Sequence, residues 1–306
     1  MTWHDIGAFV FAGPFRNLWP LIAVPALAAM ISDSTARLLP KRGESWIPAA
    51  LLAALPGLLA IAVAYPVLMT GGEVTTWRGV VLLWLTPAVA ILLLGRALVR
   101  AGLRQREVSR LFRSAAPAGP RLAEAAARLG LNARELPCEA RECFVAGVLR
   151  PTVFLSRGAL AQLGDAELEA ALHHERAHVR GGDTLMLCVL SFLRDLAPAG
   201  RGVALEAFQT AREAIADRQA VDGAGPLNLA SALVALARSG PAPRAALPMA
   251  KPDSLRWRMQ AILQTEADPP APARSWLMVG GGVAMNAALL AWPIAQLSLV
   301  CLFWSR

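Results

Sequence analysis

The chain has 306 residues, of which 56% are hydrophobic and 17% charged, with a formal net charge of +8. Ordinary globular domains carry roughly 25% charged residues, so this composition excludes a typical soluble protein. The positive balance invites a nucleic-acid reading, but the placement of the basic residues, which follow apolar runs, excludes it.

The opening MTWHDIG lacks the positive n-region of a secretory signal peptide. Residues 18–32 are apolar but short, and Arg16 bounds them. They read as a tilted span with Arg16 snorkelling to the surface, with a re-entrant or interfacial segment as the alternative. Residues 46–70 hold no charge over a length that crosses a bilayer, residues 79–95 repeat the pattern, and residues 275–304 supply a third such run. Arg37, Lys41 and Arg42 lie between the first two spans, and Arg96, Arg100, Arg104, Arg106, Arg110 and Arg113 follow the third. The intervening loop balances Glu73 against Arg78. By the positive-inside rule both basic groups face the cytoplasm, so the expected topology is a multi-pass protein of the cell (inner) membrane with both termini outside. The anionic inner leaflet makes membrane lipids partners of the arginine cluster. A transporter or channel is disfavoured, since paired intramembrane charges are missing.

Between residues 96 and 274 the composition shifts to that of a folded α+β unit. PAGP at 117–120 breaks the chain, and RLAEAAARLG reads as a short helix ended by Gly130. CFVAGVLRPTVFLS, residues 143–156, reads as a hairpin or two adjacent strands. A helix then starts at Asp165 as N-cap, with Glu167 and Glu169 suited to its positive end and Gly181-Gly182 to its stop. TLMLCVLSFL is too short to span and is expected to rest on the membrane or a core. A second helix covers residues 203–221, and SLRWRMQAIL reads as a basic amphipathic helix at the inner surface, set between Pro/Ala-rich connectors. Cys138, Cys143, Cys188 and Cys301 read as reduced thiols, a C-x4-C pair being a poor metal signal. In the last span Asn286 and Gln296, with Gly280-Gly281-Gly282, Ala284 and Ala287, suggest close packing within the chain, with oligomerisation through the same face as the lesser expectation.

Three of the four histidines fall within AALHHERAHVRGGD, residues 170–183. There His174-Glu175-Arg176-Ala177-His178 reads H-E-x-x-H on a well-signalled helix. Residues four apart share a helix face, so the two imidazoles can hold one Zn²⁺, and Glu175 is placed as general base. A merely polar, His-rich face would match this spacing only rarely by chance. Zinc needs a third protein ligand. The H-E-x-x-H-x-x-G-x-x-H extension places Gly181 correctly but puts Thr184 at the ligand position, so that class fails. Glu213 and Asp183 remain, with Glu206 more remote. Glu213 and Asp217 lie four apart on one helix, so one could bind metal while the other orients a histidine N–H.

HHERAHVRGGD followed by EAIAD at residues 213–217 resembles the gluzincin metallopeptidases, and most closely the membrane-embedded branch of BlaR/MecR-type β-lactam receptors, with HtpX-like proteases as distant relatives. FVAGVLRPTVFLSRGAL and GDAELEAALHHERAHVRGGD resemble that family's strand segment and zinc helix, strongest from 144 to 217. The resemblance implies His174, His178 and Glu213 as zinc ligands, Glu175 as catalytic base and Asp217 behind the ligands. It implies a mainly α membrane protein of about four transmembrane helices, organised as residues 1–95 with three spans, a cytosolic gluzincin-like α+β domain at 96–274 and a last helix at 275–306. The implied activity is zinc-dependent endopeptidase cleavage in signalling, of a repressor of the winged-helix type or of the chain itself. A non-cleaving scaffold and a quality-control protease are the alternatives. The family's extracellular sensor is not expected, because only Ser305-Arg306 follow the last span, and direct antibiotic sensing is not expected with it. Tyr65 falls within a span and His4 outside, which leaves Arg212, Arg218, Arg176 and His173 as candidate oxyanion donors. A protein or peptide substrate is expected to add as a strand along Phe144, Val145, Ala146 and Gly147.

Overall fold

A computed structural model describes residues 19–39, 45–69, 77–237, 247–248, 252–263 and 273–289. His4, Arg16, Lys41, Arg42, Glu73, Gln296 and Cys301, on which some expectations rest, lie outside the described residues. Helices α1 (Trp19–Ala36) and α2 (Trp46–Met69) coincide with the first two expected spans, and α11 (Ala273–Leu289) begins the last. Among the described residues one stretch, Trp46–Val63 of α2, is long and apolar enough to cross a membrane on its own.

The helix that holds the third expected span does not end at residue 95. It continues as α3 (Trp77–Ser114), a single helix of 38 residues. From residue 79 to 95 its sequence holds no charge, whereas its second half carries Val108, Leu111 and Phe112 on one face and arginines elsewhere. Three of those arginines are not merely attracted to lipid. Arg96 donates through Nε and Nη2 to the Asp195 carbonyl at 3.1 and 2.6 Å, and Arg100 and Arg104 reach the buried Asp195 carboxylate at 3.1 and 2.6 Å. Charge that was expected to orient the chain thus binds one segment to another.

The sheet contains β1 (Ala116–Pro117), β2 (Ala133–Leu136), β3 (Cys143–Ala146), β4 (Thr152–Ser156) and β5 (Leu247–Pro248), in the order β1-β2-β4-β3-β5. The expected hairpin is β3–β4, antiparallel, with Phe144 opposite Phe154. Period-two alternation sorts its residues between two layers. Phe144, Ala146 and Phe154 pack on Leu111 and Phe112 at the end of α3, with Phe112 edge-on to Phe154 at 5.0 Å between centroids. Cys143, Val145, Val153 and Leu155 face the opposite way, into the main core. Full burial of each phenylalanine contributes about 1.5–3 kcal/mol, enough to hold the sheet on the extension of α3.

That main core is roofed by α4 (Pro120–Arg128), α5 (Arg157–Gln162), α6 (Asp165–Gly181) and α9 (Pro226–Leu236). The N-cap of α6 is Gly164 rather than Asp165. Glu167 at the third helical position bonds back to the Gly164 N–H at 2.8 Å, so the carboxylate that closes this end comes from inside the helix. Gly182, at φ 64°, ends α6 in the left-handed region where a Cβ is costly.

TLMLCVLSFL belongs to α7 (Asp183–Leu196), which packs on α2 and α3. A Cβ at Gly57, within α2, would lie 2.1 Å from the Leu193 carbonyl oxygen, so glycine is what allows the two backbones to touch. The next helix, α8 (Val203–Ala224), starts against α1, where the buried Asp33 carboxylate accepts the N–H of Arg201 and, at 3.4 Å, of Ala204. This supplies from another helix the cap that Gly202 cannot. The α7–α8 hairpin is thus wedged among α1, α2 and α3 while its far end carries the candidate site.

SLRWRMQAIL, expected at the membrane surface, is instead α10 (Pro252–Leu263), packed on α8 and α9. Arg258 is only 1% exposed and Ile262 joins the main core. A single inward arginine reads as one more polar residue in an amphipathic pattern unless its place four positions before Ile262 is noticed.

Candidate metal centre

Helix α6 presents His174 and His178 on one face, and α8 crosses it with Glu213. Ligand atoms of these three side chains all lie within 4.8 Å of one another. The His174 and His178 Nε2 atoms are 3.1 Å apart, with Glu213 Oε2 3.4 Å from the first and Oε1 3.6 Å from the second. Four ligands at zinc bond lengths of about 2.0–2.1 Å sit about 3.3 Å from each other in a tetrahedron. The observed separations match that edge.

The outer nitrogens are occupied. His178 Nδ1 lies 2.7 Å from Asp183 Oδ2, and His174 Nδ1 lies 3.1 Å from Asp217 Oδ1. In the neutral tautomers that keep each Nδ1–H facing its carboxylate, the form a metal requires, both Nε2 lone pairs point inward at each other and at Glu213. The Glu213 oxygens are buried, and beyond the two imidazoles their close neighbour among the described residues is Arg258 Nη1, 2.8 Å from Oε2. A converging set of lone pairs calls for a cation, so the residues fit Zn²⁺.

Behind each carboxylate stands an arginine. Arg212 Nε is 2.6 Å from Asp183 Oδ1, and its guanidinium lies 5.6 Å from the ring centroid of Trp46, the first residue of α2. It reaches Asp183 by passing over Gly181, where a Cβ would be 1.9 Å from Nη2. Arg258 donates through Nε to Asp217 Oδ2 at 2.7 Å and sits 2.8 Å from Glu213 Oε2 through Nη1. Burial works to raise Glu213 and Asp217, but Arg258 overrides it and holds both below the usual carboxylate range. Burial would lower His174, yet Asp217 and Glu213 push it up to about 9.

Glu175 is fully buried on the sheet side, with Cys143 Sγ of β3 at 3.6 Å from Oε1. Burial raises its carboxyl above the ordinary value, while the neighbouring histidines pull it down. The same burial, with Glu175 beside it, pushes the Cys143 thiol well up, so the sulfur stays protonated.

The structure brings together His174, Glu175, His178, Glu213 and Asp217. It sets Asp183 behind His178 and outside the three-residue group, while Glu206 is exposed in the first turn of α8. Of the candidate oxyanion donors, Arg218 is exposed, Arg212 is held by Asp183, and His173 and Arg176 line a separate cavity between α6 and α8. Sequence reasoning missed Arg258, 41 residues beyond Asp217. Its signal was an arginine four positions before an apolar Ile262 on the same face. The expected substrate edge also needs correction: β3 is not free along Phe144 and Val145, because Pro248 and Leu247 pair with them antiparallel, and Gly147 lies past the strand at φ 100°. A two-residue strand inside a Pro/Ala-rich connector left no pattern to read.

No curated protein and no solved structure matches the chain. The sequence does match the family described as BlaR1 peptidase M56, over residues 47–229. That stretch runs from the start of α2 through the metal cluster into α9, more than half of the 306 residues. The chain therefore belongs to the M56 peptidases, a family of membrane-associated metallopeptidases.

Proposed function

We propose that this protein is an integral-membrane zinc endopeptidase that cleaves peptide bonds at a cytosolic-facing site in signalling proteolysis. The observation that carries the reading is the inward convergence of His174 Nε2, His178 Nε2 and Glu213 at 3.1–3.6 Å beside a buried Glu175. His174, His178 and Glu213 would hold the metal. When bound, Zn²⁺ supplies Lewis-acid polarisation of the scissile carbonyl and acidifies the attacking water. Glu175 takes the proton from that water and delivers it to the leaving amine, a task suited to a carboxyl whose pKa burial has raised. Asp217 and Asp183 keep the two imidazoles in the tautomer and rotation that aim Nε2 inward. Arg258 keeps Glu213 ionised and in place. The cytosolic orientation is supported by Arg37 and the arginine cluster from Arg96 to Arg113.

The first test compares zinc content and peptidase activity of the full chain in detergent. Wild type is expected to carry one zinc and to cleave, Glu175→Gln to keep zinc without cleaving, and His174→Ala to lose both. Zinc-independent cleavage, or full activity in Glu175→Gln, would sink the reading.

For the substrate, a specific observation favours the chain itself alongside a repressor or another protein. Leu247 and Pro248 already lie antiparallel on β3, next to the strand residue that meets Glu175. Self-cleavage in the segment around β5 predicts fragments in wild type that are missing from Glu175→Gln, read by intact mass. Identical masses would leave only substrates in trans. Direct nucleic-acid binding has no part in the proposal.

A further inference from the structure

Between α6 and α8, on the faces turned away from the metal cluster, lies a cavity of about 610 Å³ lined by His173, Arg176, Arg180, Arg212, Ile215 and Asp222 among others. Helical spacing explains how this wall and the metal site coexist. Arg176 and Arg180 stand four apart on α6, one position round from Glu175, while Arg212, Ile215 and Asp222 recur along α8 beside the inward Glu213 and Asp217.

The charge of this wall is not balanced. Asp222 is the one carboxylate of the lining against three guanidinium groups. Arg212 is engaged through Nε with Asp183. Among the described residues neither Arg176 nor Arg180 has a carboxylate in ion-pair range. His173 is held below its ordinary value by burial, opposed by Glu169 and reinforced by Arg176 and Arg180, so it adds no further charge at neutral pH. Guanidinium groups gathered around a hollow match a phosphate in both charge and fork geometry. A volume of this size falls within the roughly 300–1,000 Å³ of ordinary ligand sites.

The position supplies the second argument. Arg212, which closes the cavity on one side, lies over the face of Trp46, where the apolar stretch Trp46–Val63 begins. Tryptophan at the end of such a stretch marks the headgroup level, and basic pockets there take anionic headgroups. We propose that this cavity is a binding site for a phosphate group carried by an anionic lipid, held chiefly by Arg176 and Arg180 and completed by Arg212. Through Arg212 the bound phosphate would share a guanidinium with Asp183 and so adjoin the support of His178, though the site itself is separate from the metal.

The test uses the full chain in neutral detergent micelles, with lipid retention counted by native mass spectrometry. Phosphatidylglycerol is titrated against phosphatidylcholine, and inorganic pyrophosphate is added as the soluble competitor. Wild type is expected to retain one phosphatidylglycerol selectively. Arg176→Gln/Arg180→Gln should weaken retention by about fivefold for each arginine removed. Arg150→Gln/Arg157→Gln, which removes the same charge from exposed positions outside the cavity lining, should retain lipid as wild type does. Should the double variant fold poorly by circular dichroism, the exposed Arg180→Gln alone is expected to show the single fivefold step. Selective pyrophosphate binding lost in the same variant, without lipid selectivity, keeps the phosphate site and moves its source to a soluble anion. Equal loss in both double variants, or no preference for either anion, overturns the site.

Discussion

The two halves of the metal cluster repeat one arrangement with different attachments. His174 leans on Asp217, which leans on Arg258, while His178 leans on Asp183, which leans on Arg212. The first arm ends in α10, a late segment whose arginine is 1% exposed and touches the candidate ligand Glu213 directly. The second ends at Trp46, where α2 begins, and its arginine does not reach Glu213 in any contact of the described residues. The same carboxylate–imidazole chemistry is thus secured once by the main core and once by the long apolar helix α2. The difference teaches that the metal site is a joint between two structural units rather than the property of one.

The harshest way to break the comparison removes what both arms share. Glu213→Ala is expected to bring zinc content from one per chain to near zero, while Asp183→Ala leaves zinc measurable. Loss with Asp183→Ala and retention with Glu213→Ala would move the third ligand. Next comes Arg258→Met, which strands two buried carboxylates. Breaking a buried ion pair from one side costs about 3–5 kcal/mol, so the melting temperature of the metal-free protein should fall sharply. Arg212→Met, on a partly exposed residue that pairs with one carboxylate, should cost clearly less. Equal losses would erase the asymmetry between the arms.

Asp217→Asn and Asp183→Asn should each weaken zinc binding by about 10–100-fold, measured by competition with a chelating dye. Pairing each with Trp46→Ala sharpens the point. Trp46→Ala should couple to Asp183→Asn and add independently to Asp217→Asn. Its own effect is the smallest of this set, about 0.5–1 kcal/mol for a cation–π contact at a partly exposed site. Proton competition falls between these extremes. In the metal-free protein His174 is raised to about 9 and therefore protonated at neutral pH. Zinc must displace that proton, so apparent affinity should climb about tenfold per pH unit and level off near pH 9. A flat profile from pH 6 to 9 would show that His174 does not lie under the metal.

Much of this was legible in the sequence because it is local. H-E-x-x-H and E-x-x-x-D each sit within one helix, where spacing alone fixes a shared face, and the β3–β4 hairpin announces itself by β-rich runs around a turn. What stayed hidden depends on contacts between distant segments. Asp183 follows a Gly-Gly stop and looks like a cap until Arg212 is seen crossing Gly181 to meet it. Arg258 looks like one more surface charge until α10 is docked on α8. The pairing of β5 with β3 involves two residues in each strand, too few for any periodicity. The length of α3 was hidden for a related reason: residue 95 ends the apolar run but not the helix. Hydropathy changes there while the helix does not, because the arginines that end the apolar run are good helix formers with partners waiting on α7.

The continuity of α3 turns it into a lever. Pro87 lies inside this helix, at a point where helices bend, and Phe112 lies 25 residues farther on, about 38 Å at the α-helical rise. A change in tilt of about 5° at Pro87 would carry the Phe112 ring through about 3 Å, more than the slack of a close-packed interior. Since that ring meets Phe154, and β4 is paired with the strand that sets Cys143 against Glu175, a force on the apolar half would be delivered as a shear across Glu175.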